Sequence, residues 1–116
     1  MYKFENLSVW QEGVKLAEQC YELTGQLPTY ERSGLSDQLR RAVTSISINI
    51  AEGSGSESDK EFSRFLHIAR KSLFETIAIL KLIEKIHQNK IDVKYYEQCD
   101  LVGKLLNGLI KKLSVI

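Results

Sequence analysis

The sequence predicts an all-α protein, an up-down antiparallel four-helix bundle that occupies residues 1–116 as a single domain. Two observations carry this prediction. Pro28 is the one proline, and the seven glycines fall mainly between long uninterrupted stretches, which favours helices over a fold with many turns. Within those stretches, apolar residues recur at alternating steps of four and three, the spacing of one helical face. Apolar residues form 43% of the chain, enough for the core of such a bundle.

The first helix is expected over residues 8–27. Ser8 and Gln11 match a capping box, in which two side chains satisfy backbone N–H groups at a helix start. Pro28 ends the helix, because the residue before a proline is pushed out of the α conformation. An inner apolar face is predicted, and a neighbouring stripe widens it. The inner face consists of Trp10, Val14, Ala17, Tyr21 and Thr24, and the neighbouring stripe of Val9, Leu16, Cys20, Leu23 and Leu27.

The second helix is expected over residues 35–52, with a stop at Gly53-Ser54-Gly55. Ile48 points away from its inner face, since each residue turns the helix by about 100°. It is either a lone exposed apolar residue or part of a protein contact, and both alternatives stay open. The predicted inner face consists of Leu39, Ala42, Val43, Ile46 and Ile50.

The third helix is expected over residues 58–89, starting at a capping box formed by Ser58 and Glu61. Its core stripe is Phe62, Leu66, Ala69, Leu73, Thr76, Leu80, Ile83 and His87, and a second stripe is Phe65, Ile68, Ser72, Ile79, Leu82 and Ile86. A helix that is apolar on several sides needs burial on several sides, which one bundle cannot supply. We therefore expect a subunit interface. Its candidate residues are Ile48, Phe65, Ile68, Ile79 and Leu82.

The fourth helix is expected over residues 92–115, with Asp92 as its N-cap. Gly103 and Gly108 lie inside it, where each costs about 1 kcal/mol relative to alanine. A close approach to another helix would offset that cost, and simple tolerance is the alternative. The predicted core stripe is Tyr95, Cys99, Val102, Leu106, Leu109, Leu113 and Ile116.

No catalytic, cofactor or metal site is expected. His67 and His87 lie on different faces of one helix, and neither has a second ligand at metal spacing. Cys20 and Cys99 lack the spacing of redox or zinc motifs. No apolar run approaches the length of a membrane span, and the N-terminus shows no signal-peptide block. We therefore expect a cytoplasmic protein with reduced cysteines and no membrane contact.

Basic side chains are the remaining candidates for a functional surface. Phosphates are bound by several cations on one surface, because affinity grows with the number of phosphates neutralised. The net charge is only +1, so one chain would bind weakly, and a ring of subunits would multiply the sites. The alternative is that these cations only keep the helices soluble. The candidate nucleic-acid-binding residues are Arg40, Arg41, Lys60, Arg64, His67 and Lys71.

The sequence motif of the second helix resembles that of a bacterial family, the proteins encoded in 23S rRNA intervening sequences. The resemblance is carried by Gln38-Leu39-Arg40-Arg41-Ala42, Ser45-Ile46 and Asn49-Ile50-Ala51-Glu52-Gly53, with Leu7-Ser8-Val9-Trp10-Gln11 and Pro28-Thr29-Tyr30-Glu31 in support. It implies a four-helix bundle that assembles as a homo-oligomeric ring, a pentamer. Lys71 departs from the pattern, because the family usually has glycine at this place, before Ser72-Leu73.

The resemblance extends to the accessory variability determinant of diversity-generating retroelements, which binds a reverse transcriptase and nucleic acid. Two functions therefore stay open: an oligomeric adaptor for RNA or DNA, and a scaffold that docks a partner protein such as a reverse transcriptase. Within the motif, Gln38 and Asn49 are expected to hydrogen-bond inside or between subunits. Arg41 and Glu52 would flank Ile48 at an interface, and Gly53 completes the motif.

Overall fold

Four long helices make up most of the chain. The computed structural model describes residues 1–114, with α1 at Ser8–Thr24, α2 at Leu35–Ser54, α3 at Asp59–His87 and α4 at Val93–Leu113. Short 3-10 turns at Lys3–Asn6 and Thr29–Glu31 precede α1 and α2. The largest difference from the predicted bounds is at the end of α1. The predicted extension of α4 to residue 115, and Ile116 in its core stripe, lie outside the described residues.

Each helix packs antiparallel to its neighbour in the chain, and α4 returns beside α1. The bundle therefore has a square cross-section, with α1 diagonal to α3 and α2 diagonal to α4. This arrangement confirms the predicted all-α bundle. Contacts that join neighbouring helices include Gly13 with Ser47, Ser45 with Ser72, Arg70 with Asn107 and Gln98 with Glu12.

The predicted inner faces of α2 and α3 are confirmed, and so is the first half of the stripe on α4. His87 at the end of α3 is only partly enclosed, as are Leu109 and Leu113 on α4. The side chains with no solvent exposure include Leu39, Val43, Ile46, Ile50, Leu66, Leu80, Val102 and Leu106.

The prediction for α1 placed both apolar stripes on one broad face, and the structure buries only one of them. The core face is the neighbouring stripe, Val9, Leu16, Cys20 and Leu23. The reason is that α1 has two neighbours, and Gly13 brings it close to α2: a Cβ there would lie 2.9 Å from Ser47 Oγ. That contact turns the other stripe outward. The other stripe lies at the edge of the core: Tyr21 is exposed, and the remaining members, Trp10, Val14, Ala17 and Thr24, are partly buried.

The N-cap residues predicted for α3 and α4 are confirmed, but the one predicted for α1 is not. Ser58 Oγ accepts the Glu61 N–H at 3.1 Å, and Asp92 Oδ1 accepts the Lys94 N–H at 2.9 Å. The capping box predicted for α1 is wrong, because Leu7 occupies the N-cap position. Gln11 Nε2 instead donates to the Glu5 carbonyl at 2.8 Å. The Gln11 side chain thus bonds to the 3-10 turn and not to the backbone of Ser8.

Gly53 was expected to stop α2 but lies inside its last turn and is buried. The two glycines of α4 differ. A Cβ on Gly103 would lie 3.3 Å from Leu73 Cδ2, a close approach to α3, whereas a Cβ on Gly108 would meet nothing within 4 Å. Gly103 therefore allows a close approach between helices, whereas Gly108 is simply tolerated.

A hydrogen bond joins the connection before α2 to the C-terminal end of α3. His87 Nε2 lies 2.6 Å from Glu31 Oε2, and the other oxygen of Glu31 accepts the Leu35 N–H at 3.2 Å. The hydrogen bond with His87, followed by the bond from the Leu35 N–H, lowers the pKa of the Glu31 carboxyl. Both side chains are largely enclosed, so His87 has a structural partner in place of the core position predicted for it.

Glu31→Gln is expected to lower the melting temperature at neutral pH. Because the folded-state pKa of Glu31 is depressed, its ionised form stabilises the fold above the ordinary carboxyl pKa. That contribution is lost as the pH falls through the lowered pKa of the folded state. Melting curves of both proteins between pH 7 and pH 3 should therefore converge in acid. A constant difference across that range would contradict the assignment.

Candidate functional site

Four of the candidate nucleic-acid-binding residues share the outer face of α3. Lys60, Arg64, His67 and Lys71 are all exposed, at steps of four, three and four along the helix. They span about 16 Å at 1.5 Å per residue. We call them the basic stripe.

Two members of the basic stripe are already engaged. Arg64 Nη2 lies 2.6 Å from Glu61 Oε1, and its guanidinium lies 4.6 Å from the centre of the Phe65 ring. The hydrogen bond from Arg64 lowers the pKa of the Glu61 carboxyl. His67 Nδ1 lies 2.8 Å from the Ser63 carbonyl oxygen of its own helix. Lys60 and Lys71 form no ion pair with any residue in 1–114, so they are the cations most available to a phosphate.

The other two candidates lie elsewhere. Arg41 pairs with Asp37 one turn earlier, with Nε 2.9 Å from the carboxylate, and Arg40 Nη2 donates to the Arg32 carbonyl at 3.3 Å. Ser45 Oγ meets Ser72 Oγ at 2.9 Å, so residues before Ser45 lie level with the second half of α3. The structure therefore separates Arg40 and Arg41 along the bundle from Lys60 and Arg64.

The interface candidates fall into three groups by exposure. Ile48 and Leu82 are 53% and 47% exposed, as a contact surface requires. Phe65 and Ile68 are half-buried. Ile79 is corrected: at 3% exposure it belongs to the core of its own chain and cannot reach another copy. Ile79 faces inward because the side of α3 that packs on α2 also includes Ser72.

The motif on α2 has a packing role at two of its four residues. Gly53 admits α3, since a Cβ there would lie 2.7 Å from Phe65 Cβ. Asn49 Nδ2 donates to the Ser45 carbonyl at 2.8 Å and to Ser45 Oγ at 3.0 Å, so it hydrogen-bonds within its own helix. Gln38 and Glu52 are exposed.

An apolar groove between α1 and α2 was missed from the sequence. It has a volume of about 740 Å³, and it is lined by the outward stripe of α1 together with Ile48 and Ala51 of α2. Phe4 and Trp10 close one end, with ring centres 5.0 Å apart in an edge-to-face arrangement. The available signal was the pair of apolar stripes on helix 1, because a helix at the corner of a bundle can bury only part of that surface. We call this the α1–α2 groove.

The second half of the outer face of α3 is apolar. Phe74, Leu82 and Ile86 are 65%, 47% and 58% exposed, and Ala78 continues the same row. We call Phe74, Ala78, Leu82 and Ile86 the α3 ridge. The outer face of one helix thus changes from cationic to apolar near Phe74.

A second apolar groove lies between the start of α1 and α4, with a volume of about 550 Å³. Leu7, Leu101 and Leu105 contribute to its lining, and Lys104 and Lys112 stand beside it. Gly108, the second glycine of α4, also lines this groove and therefore faces the surface.

Residues 1–114 contain no group of three or more His, Cys, Asp or Glu side chains arranged to hold a metal ion. Cys20 and Cys99 are free thiols buried between α1 and α4, and burial raises the pKa of each to about 12. None of the helices in that part of the chain has a stretch long and apolar enough to cross a bilayer.

The sequence profile of a family described as 23S rRNA-intervening sequence protein matches residues 5–108. The chain is also similar to a crystal structure from Bacteroides thetaiotaomicron, a protein of unknown function from the S23 ribosomal protein family. The two are 27% identical with a TM-score of 0.78, and the match covers 89% of this chain and 95% of that one. No curated protein matches the chain. Because the profile covers nearly its whole length and confirms the resemblance of the α2 motif, the chain belongs to the 23S rRNA-intervening sequence protein family.

Proposed function

We propose that the protein is a non-enzymatic, cytoplasmic homo-oligomer, a five-membered ring, that acts as a weak nucleic-acid-binding adaptor. The observation that carries the proposal is the basic stripe, which aligns exposed cations along one helix face. Lys60 and Lys71 stand at its two ends without an ion pair in the described chain. A ring would present the stripe once per subunit.

Assembly is needed for useful affinity. One stripe offers few cations, and Arg64 already shares its charge with Glu61. The affinity of a charged surface for RNA grows with the number of phosphates it neutralises, so a single copy binds weakly. Copies held in one ring convert later contacts into intramolecular events and raise the overall affinity.

Light scattering is expected to give five times the 13.3 kDa of one chain.

The variant Lys60→Ala/Lys71→Ala is expected to weaken binding of a single-stranded RNA oligonucleotide. If each lysine meets one phosphate, the slope of log K against log salt should become shallower by about 0.7 for each phosphate that is no longer neutralised. Fluorescence anisotropy over a salt series of about 50–200 mM measures both the affinity and the slope.

The matched control is Lys104→Ala/Lys112→Ala, which removes the same charge from exposed positions on α4. It should leave the RNA affinity close to that of the unaltered protein. Equal weakening in both variants would mean that only net charge matters, and no binding at the lowest salt would remove the nucleic-acid role.

The second candidate function is a protein-interaction scaffold. The two open apolar grooves favour it, because contiguous apolar surface on a soluble domain marks a contact site. A scaffold without a nucleic-acid role would not respond to the change of Lys60 and Lys71. The same anisotropy experiment therefore separates the two functions.

A further inference from the structure

We infer that the α3 ridge of one copy docks in the α1–α2 groove of a second copy, so that the contact between subunits is head-to-tail. The inference rests on the self-assembly proposed above and names the two surfaces that carry it. Both surfaces belong to the same chain, and in the described structure each is uncovered.

The ridge has the form of a helix packing element. Its four members recur at steps of four residues, and rows at this spacing are the ridges that enter grooves in the commonest class of helix packing. Phe74 and Ile86 mark its ends, about 18 Å apart at 1.5 Å per residue. More than half of the surface of each is exposed, so the ridge projects from the bundle without any change in its fold.

The groove matches the ridge in length and in polarity. On α1 it runs from Trp10 to Tyr21, about 16 Å. Ala17 and Ala51 contribute small side chains to its lining, which leaves room for larger ones. Burying the apolar ridge there would cover two surfaces that are otherwise in contact with water.

Charge favours this pairing over the other groove. Lys81 and Lys85 lie beside the ridge; Lys81 pairs with the half-buried Glu84 at 3.6 Å, and Glu75 is an exposed carboxylate near Phe74. Glu18 lines the α1–α2 groove, and Glu52 follows Ile48 by one turn. Arg41 lies on the same side of α2 but pairs with Asp37 at 2.9 Å, so the unpaired charges of the rim are acidic. The groove beside α4 carries Lys104 and Lys112 and would repel the lysines of the ridge. The lysines beside the ridge thus favour the α1–α2 groove of a second copy over the groove that carries Lys104 and Lys112.

The positions of the two surfaces favour a ring. The α1–α2 groove lies along one side of the square bundle, whereas α3 stands at a corner and not at the centre of the opposite side. A head-to-tail contact between surfaces that are not diametrically opposed turns each copy relative to the last. Repeated turning closes into a ring if the rotation allows it.

The test uses one exposed residue on each surface. Phe74→Glu places a charge on the ridge, and Ile48→Glu places one in the groove; both side chains are exposed, so the fold should persist by circular dichroism. Each variant alone is expected to have the mass of a monomer in light scattering. Val93→Glu, at another exposed apolar position, is the control and should keep the mass of the unaltered protein.

Mixing the two variants gives the decisive measurement. Phe74→Glu retains a working groove and Ile48→Glu retains a working ridge, so an equimolar mixture should form a one-to-one dimer that cannot grow further. If the unaltered protein is itself a monomer, the proposed self-assembly fails. If it is an oligomer whose mass neither variant changes, assembly stands and the docking inference is overturned. If Phe74→Glu dissociates the oligomer and Ile48→Glu does not, the contact is a symmetric one between α3 helices, and the inference is likewise overturned.

Discussion

Gly53→Ala is expected to lower the free energy of unfolding by about 1–3 kcal/mol, the usual cost of forcing extra volume into a packed core. The new Cβ would lie 2.7 Å from Phe65 Cβ and 2.8 Å from Phe62 Cδ1. Phe65 Cβ is attached directly to the backbone, so α2 and α3 would have to move apart to make room. This cost exceeds the gain of about 1 kcal/mol that alanine normally brings to a helix interior.

Gly108→Ala is the matched control, since it makes the same chemical change inside a helix. A Cβ there meets nothing within 4 Å. The variant should therefore gain about 0.5–1 kcal/mol through helix propensity alone. Urea denaturation of both variants measures the two changes, and opposite signs are expected. Stabilisation by both alanines would show that α3 has room to accommodate a methyl group at Gly53.

Native Cys20 and Cys99 are expected to react with a thiol reagent about a thousandfold more slowly than the same thiols in the unfolded chain. The thiolate is the reactive form, and burial raises both pKa values to about 12 from 9.0, which reduces the thiolate fraction at pH 8 by roughly that factor. Both side chains also have almost no exposure, so the reagent cannot approach them.

Dithionitrobenzoate absorbance with and without urea measures this difference. Two thiols per chain should be titrated in urea and almost none in buffer. Cys20→Ala should leave one thiol, protected in the same way. Rapid stoichiometric labelling of the native protein would mean that α1 and α4 separate often enough to expose the thiols between them.

Helix positions and three of the four core faces could be predicted from the sequence, because a repeat at helical spacing determines which side is apolar. The face of α1 could be predicted only as two adjacent apolar stripes, because the position of α2 decides which of them is buried. Gly53 shows the same limit: a glycine near a helix end resembles a stop, and its contact with Phe65 appears only in three dimensions.

The candidate surfaces were predictable to a smaller extent. Exposure of the basic stripe follows from the spacing along α3, as does the outward direction of Ile48 from the spacing along α2. The ion pair of Arg64 with Glu61 lies at a spacing that commonly forms such pairs on a helix surface. The separation of Arg41 from Lys60 depends on how α2 and α3 align, and one sequence carries no measure of that alignment.

Trp10 gives the molecule an optical probe at the α1–α2 groove. It is the only tryptophan in the chain, and it stands at one end of the α1–α2 groove. Whatever covers that groove removes water from around the indole ring, and indole emission shifts to shorter wavelength when water is excluded. The occupancy of the groove can therefore be followed by intrinsic fluorescence during dilution, without a label.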